Sequence, residues 1–357
     1  MSPENYSIEV FNPLEASDEV IKHFFDIIEE WNIEEDPDEP LIPRESYKKF
    51  LLDPHPHSQN YRWLVYPKEE TNKIVGYGNL IVNLEGHPNY EENKHIGFFS
   101  IYVTRNLRRK GLGSKILRVI ISKAKELNRL STFHCGTSIE SGYEFLSYYK
   151  GTISIESAEN RLYISEVKWE LMKTWKKAGL EKAKEKGITM EDFFECPEEI
   201  IGEYMHIYTE TMKQQPLGEL EWKPKHTPES RRLDEKRLAD KGLEWYTMIT
   251  KENDKAISGL TEYFYYEDTP HRIEQGLTGV KEEYRGRGLG KWLKAEMLFR
   301  IKERFPDVKF ISTGNSTENA PMLSINERMG FKEFRPSKLY KLKLEELDKL
   351  VLSKKKN

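Results

Sequence analysis

Two stretches decide the fold: Arg108-Arg109-Lys110-Gly111-Leu112-Gly113 and Arg285-Gly286-Arg287-Gly288-Leu289-Gly290. Each reads Arg-x-x-Gly-Leu-Gly. Each follows an apolar segment (from Ile96 and from Ile273) and runs into helical periodicity. In the first helix the apolar positions are Leu112, Ile116, Val119, Ile120 and Ala124. In the second they are Leu289, Trp292, Leu293, Met297 and Ile301. A glycine loop between a strand and a helix is a diphosphate cradle. Free N–H groups at the helix start converge on the anion, the helix dipole favours it, and glycine lets the backbone approach. The neighbouring Arg108, Arg109, Lys110, Arg285 and Arg287 are expected to add charge-assisted contacts. No Gly-Lys-Ser/Thr follows either loop, and neither reads Gly-x-Gly-x-x-Gly, so a nucleoside-triphosphate loop and a nicotinamide site are not indicated.

The surroundings of the two loops match in order. The first half predicts a helix near Asp18–Trp31, strands at Tyr61–Tyr66 and Ile74–Asn83, the loop, a strand at Thr132–Cys135 and a helix at Ile139–Tyr149. The second predicts helices at Glu203–Lys213 and Glu229–Lys241, strands at Glu244–Thr250 and Ala256–Tyr266, the loop, a strand at Val308–Thr313 and a helix at Ala320–Met329. A hairpin strand is expected to close each domain. A repeat unit of half the chain is a duplicated domain, not a solenoid repeat. The expected division is a first domain over 1–168, a lysine-rich helical linker over 169–195, a second domain over 196–357, and a frayed SKKKN tail. The fold class is α+β (mixed α/β): a mainly antiparallel twisted sheet flanked by helices in each domain.

Composition narrows the function. The 357 residues are 37% hydrophobic, 32% charged and 12% aromatic, ample for two cores. A net charge of −4 offers no broad basic field for nucleic acid or an anionic membrane. No apolar run approaches a membrane span, and the first residues lack a signal-peptide pattern. The two cysteines, Cys135 and Cys196, form no metal spacing, and Cys135 reads as packing. The expectation is a cytoplasmic, metal-independent protein, monomer or homodimer.

Both loops match the signature Gln/Arg-x-x-Gly-x-Gly/Ala, so the chain resembles the GNAT acetyltransferase superfamily. The second half resembles it further through Asn315-Ser-Thr-Glu-Asn319-Ala and a helix ending Gly330-Phe331. The first half has no asparagine there and ends Lys150-Gly151-Thr152. The tandem arrangement is similar to that of mycothiol synthases, in which the C-terminal domain carries the activity. The resemblance implies acetyl-CoA as co-substrate. Its phosphates lie on Arg108–Gly113 and Arg285–Gly290 and its arm near Asn315 or Asn319. A strand N–H near Val280, and near its counterpart Val103, faces the thioester oxygen.

Acetylating a primary amine needs a base, because an alkylammonium holds its proton to a pKa near ~10. Glu274 stands eleven residues before Arg285, the offset of the catalytic glutamate in histone acetyltransferases of this superfamily. Glu262 on the neighbouring strand is the reserve. The same offset in the first half lands on Gly97, with His95 nearby, so the second domain is expected to be catalytic and the first degenerate. The family's tyrosine acid falls on Asn326. The leading expectation is direct acetyl transfer to a small-molecule amine. The alternatives are a non-catalytic acetyl-CoA-binding regulator and a protein or peptide N-acetyltransferase.

Overall fold

The computed structural model describes residues 3–70 and 72–353, so residues 354–357 of the expected frayed tail lie outside them. The first half runs β1 (Tyr6–Val10), α1 (Asp18–Glu35), α2 (Arg44–Leu52), β2 (Ser58–Pro67), β3 (Gly76–Asn83), a single turn α3 (Tyr90–Asn93), β4 (Ile96–Val103), α4 (Leu112–Leu127), β5 (Thr132–Thr137) and α5 (Glu140–Tyr148). The chain continues through β6 (Thr152–Tyr163), α6 (Trp169–Lys186), β7 (Thr189–Phe193), α7 (Ile201–Lys213), α8 (Pro228–Ala239), β8 (Leu243–Lys251), β9 (Ile257–Tyr266), β10 (Arg272–Val280), α9 (Leu289–Arg304), β11 (Phe310–Ser316), α10 (Ala320–Met329), β12 (Lys332–Lys343) and α11 (Leu344–Ser353). The helices start where the chemistry permits. Ser17 accepts the Val20 N–H at α1, and Thr227 with Ser230 forms a reciprocal capping box ahead of Pro228 at α8.

Two compact units result. Unit 1 takes the chain up to Ile155, Gly218–Lys223 and the chain from Ser337. Unit 2 takes Glu156–Leu217 and Pro224–Pro336. Strand order is β1-β2-β3-β4-β5-β12 in unit 1 and β6-β11-β10-β9-β8-β7 in unit 2. Only β4–β5 and β10–β11 run parallel within the units; the other pairs are antiparallel.

The closing strands are exchanged. The expected hairpins are absent: β6 of the first half pairs with β11, and β12 of the second pairs with β5. Side-chain pattern explains the choice. Leu162 on β6 is fully buried in the core that holds Ile311, whereas Tyr340 and Leu342 on β12 belong to the core around Ile116 and Phe133. A second crossing segment ties unit 1 together, because Glu221 accepts from Lys341 (2.7 Å) and Lys343 (2.9 Å) on β12. The compact units therefore differ from contiguous halves divided at 168 and 196. The lysine-rich stretch expected as a linker is α6, and it belongs to unit 2. It lies so close to α9 that a Cβ on Gly179 would stand 2.2 Å from Trp292.

Candidate functional site: two phosphate loops and a cleft

The two loops share one backbone path. A 3₁₀ turn (Arg105–Leu107; Glu282–Tyr284) leads to an extended arginine, Arg108 at φ −66° and Arg285 at φ −65°. Gly111 (φ +82°) and Gly288 (φ +86°) then open α4 and α9 in the left-handed region that suits glycine. No side chain caps either helix, so the first-turn N–H groups stay available to an anion. The remaining glycines differ in what holds them. A Cβ on Gly113 would meet Phe145 at 3.0 Å, whereas one on Gly290 would sit at ordinary contact distance from Val280.

The motif arginines act differently from the expectation. Arg108 donates from Nε to the Val103 carbonyl (2.8 Å) and from Nη1 to Glu34 (2.6 Å) and Ser141 (3.0 Å). Arg285 likewise donates to the Val280 carbonyl (3.2 Å) and to Gln214. Each ties the loop back to its strand and to a helix of its unit, Arg108 to α1 and Arg285 to the end of α7. Burial opposes ionisation of Glu34, but Arg108 and Arg105 outweigh it and hold its pKa below the usual value. Arg109 and Lys110 remain exposed at the loop rim, and Arg287 pairs with Glu252 at 3.0 Å.

In both units the parallel pair is short. β4 and β5 are paired only from Ile96↔Thr132 to Phe98↔His134, and β10 and β11 only from Arg272↔Phe310 to Glu274↔Ser312. In unit 1 the strands beyond that point bound a cleft of about 370 Å³. Its walls are the Phe99–Val103 edge, Cys135–Thr137, the loop from Arg108 to Ser114, and Phe145, Leu146 and Tyr148 of α5. That volume is the size of a small-molecule site. Burial pushes the Cys135 thiol up to about 12, which keeps it an uncharged wall group. Trp31, Glu35 and Ser100 line this cleft and also a second cavity of about 400 Å³ beneath α1 and α2. Trp31 stacks on Tyr102 (5.3 Å, 14°), and Glu35 accepts from Ser138 Oγ at 3.2 Å.

Unit 2 fills the matching ground. Gly76 pairs Val103 as Gly259 pairs Val280, which sets Asn79 against Glu262; Arg62 and Asn60 on β2 correspond by the same ladders to Thr247 and Trp245. Glu262 is fully buried. It accepts from Tyr204 (2.6 Å), Trp245 Nε1 (2.9 Å) and Arg231 (3.1 Å), and Arg231 lies 3.4 Å over the Trp245 ring. Burial raises the Glu262 pKa and Arg231 opposes it. This reserve base is buried and links the sheet to α7 and α8.

Glu274 is exposed at the last paired position before β10 and β11 part. Desolvation by the flanking strands raises its pKa, Arg272 opposes this, and Glu159 adds repulsion. A β-bulge puts Gly276 and Leu277 opposite Glu262 alone, so the loop offset misaligns the halves: the partner of Glu274 is Phe98, not Gly97. Gly97 faces the core, 2.9 Å from Leu80 through a built Cβ, and His95 sits by Glu221 at 3.6 Å. Asn319 caps α10 through Met322 N–H, and Asn315 accepts from Asn326 (2.8 Å), so both family asparagines are engaged within the chain. The helix-end bonds from Gly151 to Leu146 and from Phe331 to Asn326 put Leu146 at the Asn326 position in unit 1.

Sequence reasoning missed Trp31, Glu35 and Arg62. The signals were present: Trp31 and Glu35 share a helix face, and Arg62 interrupts an apolar strand. Among the described residues no group of three or more His, Cys, Asp or Glu could hold a metal, and no helix is long and apolar enough to cross a membrane.

The comparisons agree with this architecture. No curated protein matches the chain. Among solved structures it is similar to a tandem GNAT protein from the clavulanic acid biosynthesis pathway, with 17% identity over 95% of this chain and 98% of that one and a TM-score of 0.71. It is also similar to a GCN5-related N-acetyltransferase from Sphaerobacter thermophilus, with 16% identity over 96% and 97% and a TM-score of 0.62. At such identities these likenesses speak for the fold alone. The sequence model of the acetyltransferase (GNAT) family matches residues 21–140 and 205–331, one stretch around each loop. With the loop, the parted parallel strands and the flanking helices present twice, the chain belongs to the GNAT acetyltransferase family as a tandem member.

Proposed function

We propose that this protein transfers acetyl from acetyl-CoA to an amine of a small molecule, and that the transfer takes place in unit 1. One observation carries the reading: the cleft beside the Arg108–Gly113 loop adjoins a second cavity, with Trp31, Glu35 and Ser100 lining both. The residues fit the co-substrate. The uncapped start of α4 suits the diphosphate, with Arg109 and Lys110 at the rim. The walls around Phe99, Leu112 and Leu146, with the unpaired edge of β4, suit an amide-bearing apolar arm.

Acetyl-CoA supplies the acyl group: the amine nitrogen takes the acetyl carbon, the carbon–sulfur bond breaks, and the thiolate leaves. Glu35, at the junction of the two cavities, takes the ammonium proton directly or through water. Tyr148 lines the cleft and is the proton source for the thiolate, a role that Leu146 cannot fill. This moves the reaction from the second half to the first. A second reading keeps it at Glu274, favoured by that residue's exposure and raised pKa where β10 and β11 part. A screen of amines with acetyl-CoA, run on Glu35→Gln and Glu274→Gln, tests both. Loss of turnover in the first alone supports unit 1, loss in the second alone supports unit 2, and no turnover in the parent leaves a binding protein.

A further inference from the structure

The cavity beneath α1 and α2 holds an arginine that forms no ion pair, with Glu35 elsewhere on the same wall. Arg62 lines it, half-buried; its Nη1 donates to the Asn60 carbonyl at 3.4 Å, and the guanidinium lies in hydrogen-bonding reach of the Tyr77 hydroxyl. It has no acidic partner among the described residues. A guanidinium recessed in a cavity costs free energy unless an anion meets it. Unit 2 shows the alternative: there Arg231 is buried against Glu262 and Glu235, at 3.1 and 2.7 Å. Two further polar atoms on the wall of the unit 1 cavity, Trp31 Nε1 and Asn60 Oδ1, are buried with no partner in the protein. Around them the wall is apolar, with Phe24, Ile28 and Leu51.

We infer that the acceptor of unit 1 is an amine that also carries a carboxylate and an apolar body, of amino-acid size, with the carboxylate on Arg62 and the amine toward Glu35. The inference rests on the proposed site of transfer. A planar guanidinium takes a carboxylate by two parallel hydrogen bonds. Tyr77 lines the same cavity, and burial pushes its phenol up to about 12, so it stays protonated and can donate. A cavity of about 400 Å³ admits an amino acid with a branched or aromatic side chain. Arg62 is thus a specificity residue, and its removal should act on acceptors with a carboxylate and spare those without.

The test uses matched pairs: phenylalanine with phenethylamine, leucine with isoamylamine, and the aminophosphonate analogue of each amino acid. Each is followed by acetylation kinetics and by calorimetric titration into the protein free of acetyl-CoA. The parent should prefer the carboxylate member by roughly 10- to 100-fold, the worth of one charged bidentate contact. Arg62→Met should erase that preference through KM, Arg62→Lys should restore part of it, and phenethylamine should change less than about threefold. Equal loss on both members of a pair, or no preference in the parent, overturns the inference. Preference for the phosphonates overturns the carboxylate assignment. Arg62-dependent binding of the carboxylate members without acetylation upholds the carboxylate contact at Arg62 and overturns the proposed function; acetylation indifferent to Arg62 upholds the proposed function and overturns the inference.

Discussion

Units 1 and 2 share a loop, a sheet and a pair of parted strands, yet differ in what stands between the sheet and the first helices. In unit 1 the positions hold Asn60, Arg62 and Asn79, and a cavity remains. In unit 2 they hold Trp245, Thr247 and Glu262, and Arg231 from α8 fills the ground among them. The cradle is repeated, and the space beside it differs with the residues at these strand positions and with Arg231. An intact glycine loop therefore speaks for a cofactor's phosphates; it says nothing of what else can enter.

The largest effect should separate the units by rate. Glu35→Gln is expected to lower turnover by roughly 10² to 10⁴, the usual worth of a positioned base, while Glu274→Gln stays within a few-fold. Steady-state kinetics on both variants checks this, and the opposite pattern returns the chemistry to unit 2. Next comes the buried Glu262 cluster. Glu262→Ala removes one of the two carboxylates on buried Arg231 and strands the Tyr204 and Trp245 donors, and should cost about 3–5 kcal/mol of stability by denaturant unfolding. A change under 1 kcal/mol would mean the cluster is not the closed element it looks to be.

A smaller effect concerns the loop rims. Arg109→Glu with Lys110→Glu should weaken CoA binding to unit 1 about tenfold, because both are exposed and can swing to an anion. Arg287→Ala should release Glu252 and weaken unit 2 less. Titration calorimetry reads both; equal effects would erase the asymmetry.

The smallest effect probes the crossing segment. Hydrogen bonds from Lys341 and Lys343 hold the Glu221 pKa down to about 2. Its folded-state pKa lies below the unfolded one, so its stabilisation is present above about pH 4.5 and is lost as pH falls toward 2. With a carboxyl about a third exposed, that amounts to about 1 kcal/mol. Melting curves from pH 7 to 3 should show the loss in the parent and a flatter dependence in Glu221→Gln.

The sequence by itself determined what is local. Glycines at φ +82° and +86° are written in the residue type, helical periodicity marked α4 and α9, and the helix expected at Ala320–Met329 is α10. Two such loops, each in its strand–helix setting, were enough for the family and the duplication. What only the tertiary structure decided depends on residues far apart in the chain. β6 and β12 exchanged because Leu162 and Leu342 match cores on opposite halves, which no local pattern records. One bulge residue on β10 shifted the face presented by everything before it, so counting back from Arg285 compared Glu274 with the wrong residue. Burial turned Glu262 from a candidate base into half of an ion pair, and the same sum of side-chain volumes left Arg62 beside open space. A cavity is what remains after every neighbour is placed, and charge has its meaning only once that remainder is known.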